Sequence, residues 1–189
     1  MDVHKIVIVG SGSTGKSSLY HRYSSGSFEN TQKGDTDFKI FETILDGNFL
    51  SFGLLVPPGQ KDFEKLRSFA YYNVTALILC YSVVDKNSFE NISHYWINEI
   101  QKDLGSLVPI VLVATKIDLK NTENSKSVIT TAQGEQLAKK IKASNFIECS
   151  AKENIGIKDV IEGALRASDE SLKLSMCDEK NRRFSCRPS

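Results

Sequence analysis

The sequence has no long apolar run and almost no net charge. Of its 189 residues, 24 are Lys or Arg and 23 are Asp or Glu, which gives a formal net charge of +1. No apolar run approaches the roughly 20 residues that span a bilayer, and the first residues show no signal-peptide pattern. A near-neutral chain has no overall field that attracts nucleic acid. We therefore expect a soluble globular protein that does not bind nucleic acid.

Cysteine and histidine are also scarce. The chain has three histidines and four cysteines, Cys80, Cys149, Cys177 and Cys186. The spacings match no zinc pattern, and nothing in them indicates an oxidising compartment. Cys80 and Cys149 lie in apolar, strand-like runs, which predicts buried free thiols.

A glycine-rich segment follows the first predicted strand. Residues 5–9 form a β-branched run typical of a buried strand, and residues 17–23 can continue as a helix. Between them, residues 10–17 read Gly-Ser-Gly-Ser-Thr-Gly-Lys-Ser and fit G-x-x-x-x-G-K-[ST]. This arrangement directs backbone N–H groups and a helix N-terminus at phosphate. The alternative, a Gly/Ser turn with a coincidental lysine, leaves the flanking strand and helix patterns unexplained.

The residue types in this loop suit a nucleoside triphosphate. Gly10, Gly12 and Gly15 let the backbone turn tightly and approach phosphate oxygens. Lys16 would place a positive charge near the β- and γ-phosphates, and the Ser17 hydroxyl would be a ligand for Mg²⁺. The loop alone does not select the base.

The remaining pattern predicts a three-layer α/β P-loop domain. Five more strands are expected at residues 38–45, 49–56, 76–82, 109–115 and 145–149. Asp46-Gly47 predicts a hairpin and therefore one antiparallel strand. Apolar residues at helical spacing separate the others, which predicts a mostly parallel six-stranded sheet with helices on both faces. Asn87 is expected to cap the helix that contains Phe89, Ile92, Trp96, Ile97 and Ile100.

Apolar periodicity fades from about Ser171. We predict a single domain over residues 1–171 and a flexible basic tail over residues 172–189. Ligands are expected where the parallel strands end.

Two further strand ends indicate guanine. Thr115-Lys116-Ile117-Asp118 offers a carboxylate for guanine N1–H and N2–H₂, a donor pair that adenine lacks. The aliphatic part of the Lys116 side chain can pack against the face of the base. Ser150-Ala151-Lys152 follows the last strand, where backbone N–H groups could meet guanine O6, and Phe28 could pack edge-on against the base.

With these motifs in this order, the sequence resembles a Ras-superfamily small GTPase of the Rho/Rac branch, over about residues 3–170 and the last four. The Rho/Rac likeness rests on Phe52-Gly53-Leu54, Asn87-Ser88-Phe89-Glu90-Asn91 with Trp96, Thr115-Lys116, and Glu148-Cys149-Ser150-Ala151. The polar stretch at residues 120–127 is short where that branch has an extra helix. The resemblance implies a monomer that binds GTP or GDP with Mg²⁺ and works with exchange factors, GAPs and effectors. The implied nucleotide contacts are Gly10, Ser11, Gly12, Ser13, Thr14, Gly15, Lys16, Ser17, Ser18, Phe28, Thr115, Lys116, Asp118, Ser150, Ala151 and Lys152.

The chain departs from the family pattern after the third strand. Small GTPases of this kind have Asp-x-x-Gly-Gln, where this chain has Val56-Pro57-Pro58-Gly59-Gln60. Gly59 keeps the N–H that would touch the γ-phosphate, and Gln60 keeps the position that orients attacking water. Val56 supplies no oxygen for the Mg²⁺ shell, so we expect weakened Mg²⁺ binding and faster nucleotide exchange.

The two prolines predict a stiff switch, because each fixes φ and lacks an N–H. Slow GTP hydrolysis is the favoured interpretation, and ordinary hydrolysis with tolerated prolines is the alternative. The first switch, at residues 30–38, is one residue short of the family pattern. Thr36 is its nearest candidate for a Mg²⁺ ligand, and Asp35 is the second.

The chain ends Cys186-Arg187-Pro188-Ser189, which has the Cys-a-a-X form. Prenylation of Cys186, together with nearby basic residues, would place the protein on the cytoplasmic face of a membrane with a cytosolic pool. Arg-Pro fits the usual aliphatic middle positions poorly, and the alternative is a polar tail with an incidental cysteine.

Two other functions remain open at this point. A nucleotide-binding pseudo-GTPase with little hydrolysis would be a binding module rather than an enzyme. A P-loop small-molecule kinase is the third possibility, but the guanine-directed residues and the absence of an Arg-rich lid argue against it.

Overall fold

The computed structural model describes residues 4–28, 37–105, 108–120 and 128–185, with side chains described as far as residue 174. Within these ranges, six strands form one sheet in the order β2-β3-β1-β4-β5-β6. Their bounds are β1 (His4–Gly10), β2 (Asp37–Leu45), β3 (Asn48–Val56), β4 (Ala76–Ser82), β5 (Ile110–Thr115) and β6 (Asn145–Glu148). Only the β2–β3 pair is antiparallel among the pairings of this sheet. The predicted fold class is confirmed, and each predicted strand lies within one residue of an observed one.

The β2–β3 hairpin turns at Asp46 and Gly47. Both residues have positive φ, 49° and 81°, and the flanking Leu45 and Asn48 are paired. Two positive φ angles in a two-residue loop match the twist of antiparallel strands. The hairpin prediction is therefore confirmed.

Helices cover both faces of the sheet. Their bounds are α1 (Lys16–Ser25), α2 (Glu64–Ala70), α3 (Lys86–Asn91), α4 (Ile97–Leu104), α5 (Thr131–Ile141) and α6 (Ile157–Ser185). A π-helical turn (Ile92–Trp96) joins α3 to α4, and short 3₁₀ turns occupy Lys61–Phe63 and Ile117–Leu119. No helix in the described part of the chain is both long and apolar enough to cross a bilayer.

Alternate residues of β1 enter two different cores. Ile6 and Ile8 pack with the apolar faces of α1 and α6. Val7 and Val9 pack with the apolar residues of α4 and α5 on the other face. Both faces of β1 are therefore buried, which explains its continuous β-branched run. Cys80 and Cys149 are buried free thiols, as predicted.

Two details differ from the sequence expectations. The side chain of Asp85 caps α3 and accepts from the backbone N–H groups of Asn87 and Ser88, at 3.0 and 3.2 Å. Asn87 is thus inside the helix, and the cap prediction was wrong by two residues. Helix α6 continues to Ser185, so residues 172–185 are helical in a segment for which the sequence predicts a flexible tail. The boundary at residue 171 stays a prediction.

Candidate nucleotide site

The glycine-rich loop connects β1 to α1 and needs unusual backbone angles. Gly10 has φ of 140° and lies against Cys80, such that a Cβ there would overlap the Cys80 carbonyl oxygen. Gly15 has φ of 88° immediately before α1. An L-residue is strained at such angles. The two glycines therefore let the loop fold back over the start of α1, where free helix N–H groups attract anions.

Lys16 is held inside the loop. Its ammonium is buried, with 6% of the residue exposed, and donates to the Ser11 carbonyl at 2.6 Å. Burial lowers the pKa of Lys16 to about 8. Phosphate oxygens beside this ammonium would favour its charged form again. In the structure the lysine is thus bound to the backbone of its own loop, and its contact with nucleotide phosphates stays a prediction.

Residues at the end of β5 brace the loop. The Thr115 hydroxyl donates to the Thr14 carbonyl, and the Lys116 ammonium donates to the Ser13 carbonyl at 2.7 Å. Lys116 has φ of 61°, in the left-handed region. Besides any contact with a base, these two side chains fix the position of the phosphate loop.

Asp118 is oriented by the loop after β6. The Ser150 hydroxyl donates to Asp118 Oδ1 at 2.6 Å, and Ser150 itself is fully buried. The Ser150 N–H donates to the Ile155 carbonyl at 2.9 Å. The Ser150 amide is therefore engaged within its own loop, and contact of this loop's N–H groups with guanine O6 stays a prediction. Ala151 and Lys152 remain the candidates for that contact.

The three loops meet around one cavity of about 610 Å³, within the range typical of small-ligand sites. Gly10, Ser11, Thr14 and Ser150 lie outside the lining, although they were predicted contacts. Thr36 and Cys186 lie outside the described residues. The predicted residues that line the cavity are Gly12, Ser13, Gly15, Lys16, Ser17, Ser18, Phe28, Gly59, Gln60, Thr115, Lys116, Asp118, Ala151 and Lys152.

Arg22 of α1 also supports the base end, and sequence reasoning missed it. Its guanidinium donates to the Ala151 and Lys152 carbonyls at 2.7 and 3.1 Å. It also lies 6.0 Å from the centre of the Phe28 ring. Arg22 therefore ties the last loop to α1. Its partners in the last loop are more than 120 residues away in the chain, so no local sequence signal points to them.

The Mg²⁺ ligands of the site are few. Ser17, which has a hydroxyl side chain, and Val56, whose side chain has no polar atom, both line the cavity. Among the described residues, no group of three or more His, Cys, Asp or Glu could hold a metal. Because Mg²⁺ with a nucleotide relies on few protein ligands and on phosphate oxygens, Ser17 fits such an ion. The Val56 side chain has no oxygen to offer such an ion.

Residues 56–60 form the wall of the cavity beside Lys16. Pro57 and Pro58 are buried. Gly59 approaches the phosphate loop so closely that a Cβ there would overlap the Gly10 carbonyl oxygen and the Lys16 ammonium. The backbone of Gly59 therefore lies at the end of the cavity where Lys16 points, with the Gln60 side chain exposed next to it.

A buried ion pair contacts the backbone of residues 58 and 60 in this wall. Arg67 of α2 and Glu99 of α4 pair at 2.6 Å, and both side chains are almost fully buried. Burial alone would raise the pKa of Glu99, but hydrogen bonds from Arg67, Tyr95 and Tyr71 outweigh it and hold that pKa below its usual value. Glu99 is therefore an anion in the folded protein at neutral pH.

This arrangement predicts a pH-dependent effect of Tyr71→Phe. Tyr71 donates to Glu99 Oε1 at 2.8 Å, and a hydrogen bond to a buried charge stabilises by about 2 kcal/mol. Because the folded pKa of Glu99 is lowered, this stabilisation is present above the ordinary Glu pKa and is lost as pH falls through the folded pKa. Urea unfolding of both proteins should show the full difference at pH 7 and a smaller one below about pH 4. The exposed neighbour variant Tyr72→Phe should show none, and a pH-independent loss in Tyr71→Phe would contradict the assignment.

Comparisons with known proteins agree with this geometry. The Ras family model matches residues 5–170, which include all three loops of the cavity. The GTP-binding protein rho1 of Schizosaccharomyces pombe is 34% identical over 174 residues, covering 87% of this chain and 85% of the relative. The Ras-like GTP-binding protein RhoL of Drosophila melanogaster is 36% identical over 170 residues, covering 89% and 88%. The chain therefore belongs to the Ras family and is a Rho-like small GTPase.

Proposed function

We propose that this protein is a guanine-nucleotide switch that hydrolyses GTP slowly at the cytoplasmic face of a membrane. The observation that carries the proposal is the wall at residues 56–60, where the water-orienting Gln60 follows two buried prolines and a valine. The chain keeps the glutamine at position 60. Two prolines, Pro57 and Pro58, precede it in the segment that must move, and Val56 replaces the family's metal-supporting aspartate.

The residues of the cavity can stabilise the charge that hydrolysis develops. The Lys16 ammonium and the N–H groups of the phosphate loop would bind β- and γ-phosphate oxygens, and the Gly59 N–H would meet the γ-phosphate. Mg²⁺ held by Ser17 would neutralise part of that charge. Gln60 would orient the attacking water. A GAP arginine supplied in trans could add about 10³–10⁵ in rate.

Two features support a slow reaction. Pro57 and Pro58 restrict the backbone that must adjust when the γ-phosphate leaves. Val56 provides no oxygen for the hydration shell of the metal, and loss of such a partner costs about 10–100-fold in metal affinity or activity. The same two features would suit a pseudo-GTPase that holds nucleotide without turnover, which is the second candidate.

Analysis of the co-purified nucleotide and single-turnover hydrolysis distinguish these functions. We expect GDP in the purified full chain, and GTP turnover that is measurable in Mg²⁺ and lost in EDTA. Gln60→Ala is the matched variant: turnover should fall in it if Gln60 orients the water, and turnover that is unchanged would come from a contaminating enzyme or from a reaction that does not use Gln60. Stoichiometric GTP without turnover would establish the pseudo-GTPase, and equal uptake of ATP and GTP would overturn both functions.

Membrane attachment and protein partners extend this proposal. The Cys-a-a-X form at Cys186 suits prenylation, and a Rho-like switch would act with exchange factors, GAPs and effectors. Mass spectrometry of the protein from its native cell should show a lipid on Cys186. An unmodified cysteine would remove the membrane part and leave the nucleotide part intact.

A further inference from the structure

Arg67 is a fully buried arginine whose side chain faces the wall beside Lys16. Its Nε and Nη2 donate to the two Glu99 oxygens at 2.8 and 2.6 Å, and Nη2 also donates to the Tyr95 hydroxyl at 2.6 Å. Its Nη1 donates to the Pro58 carbonyl at 3.0 Å and to the Gln60 carbonyl at 2.5 Å. An arginine has five N–H donors, so each one has a partner here. Two of the five act on the backbone of residues 58–60.

The partners of Arg67 are themselves fixed. Glu99 accepts from the Tyr71 hydroxyl at 2.8 Å and from the Tyr95 hydroxyl at 2.7 Å. With both carboxylate oxygens occupied, the guanidinium has one well-defined orientation. We call Arg67, Glu99, Tyr71 and Tyr95 the Arg67 clamp.

Trp96 connects the clamp to the phosphate loop. Its ring lies 4.8 Å from the Arg67 guanidinium, and its indole N–H donates to the Ser11 hydroxyl at 3.2 Å. The Ser11 carbonyl in turn accepts from Lys16. One contiguous set of contacts thus joins the wall at residues 58–60 to the lysine of the phosphate loop. Trp96 ends the π-helical turn, a local irregularity that is frequent at functional sites.

We propose that Arg67 is a positioning residue for GTP hydrolysis: the Arg67 clamp fixes the backbone of Pro58 and Gln60 against the phosphate loop. This inference rests on the proposed function of the cavity. The clamp contacts neither the nucleotide space nor the attacking water, so it acts through the backbone of Gln60. A misplacement of about 1 Å at such a position can cost on the order of 100-fold in rate.

The test uses the full chain with Arg67→Lys. Lysine keeps the charge opposite Glu99 but has three donors in place of five, so it cannot hold the carboxylate and both carbonyls. We expect single-turnover hydrolysis to slow by about 10–100-fold, while GDP affinity changes by less than about threefold. Amide exchange of residues 59–63 should accelerate by about tenfold or more.

Lys102→Met is the matched control. Lys102 pairs with Glu64 at 2.9 Å, an exposed link between the same two helices, and its loss should move none of the three measurements. Where Arg67→Lys fails to fold, Tyr95→Phe removes one hydroxyl from the clamp and should shift hydrolysis and amide exchange in the same direction by about threefold.

Each outcome decides the inference. If hydrolysis and GDP affinity fall in parallel, Arg67 has only a structural role. If amide exchange at residues 59–63 is unchanged, the Arg67 clamp does not hold that backbone. If the unmodified protein does not hydrolyse GTP, the proposed slow hydrolysis is wrong. The proposed role of Arg67 in positioning residues for hydrolysis is then wrong as well. Amide exchange would still show whether the clamp holds residues 58–60.

Discussion

Asp118→Ala is expected to weaken GDP binding by on the order of 10²–10⁴-fold. The Asp118 carboxylate lines the cavity and is oriented by the Ser150 hydroxyl at 2.6 Å. It would accept two hydrogen bonds from guanine N1–H and N2–H₂, each worth about 1.5–3 kcal/mol because the acceptor is charged. Titration of GDP and ADP into both proteins measures the effect. The loss should appear for GDP alone, so the variant should also bind GDP and ADP with more similar affinity.

Two variants sharpen this test. Ser150→Ala removes only the group that orients the carboxylate and should cost less, about tenfold. Asp169→Ala removes an exposed carboxylate on α6 that pairs with Lys173, and it should leave nucleotide affinity unchanged. A GDP affinity that survives Asp118→Ala would mean that the base is held elsewhere.

Val56→Asp is expected to slow GDP release by about 10–100-fold in millimolar Mg²⁺. Val56 is buried at the end of β3 and lines the cavity with Ser17. A carboxylate at position 56 would accept hydrogen bonds from the water molecules that surround Mg²⁺, and the ion would therefore be bound more tightly. Release of a fluorescent GDP analogue, followed with Mg²⁺ and with EDTA, gives the comparison. The difference between the two proteins should disappear in EDTA.

Val56→Asn separates charge from polarity at this position. Asparagine has nearly the shape of aspartate but no negative charge, so the effect of Val56→Asn on GDP release should be much smaller than that of Val56→Asp. Both variants place a polar group in the core beside β1 and α1, and thermal unfolding with GDP should be measured for each. Equal release rates for Val56→Asp and the unmodified protein in Mg²⁺ would mean that residue 56 does not face the ion.

The sequence predicts the fold and the cavity well because their signals are local. The glycine spacing from Gly10 to Ser17 and the Asp46-Gly47 turn each act over a few residues. Parallel strands then bring their ends to one edge, which is why loops far apart in the sequence surround one cavity. The helix cap shows the limit of such signals. Asp85 and Asn87 are both good capping residues two positions apart, so the pattern does not distinguish them.

The supporting residues could not be predicted in the same way. Arg67 lies 32 residues from Glu99, and Arg22 lies 129 residues from Ala151. Arginines in amphipathic helices are mostly exposed, and only packing shows that these two are turned toward the site. The same is true of Lys116, whose sequence suggests a contact with the base and whose ammonium binds the phosphate loop.

Trp96 is the sole tryptophan of the chain, and its indole N–H contacts Ser11 of the phosphate loop. The protein therefore carries an intrinsic fluorophore in direct contact with the phosphate loop. Emission from this ring should follow nucleotide entry and release in real time, with no label attached and no other indole to obscure the signal.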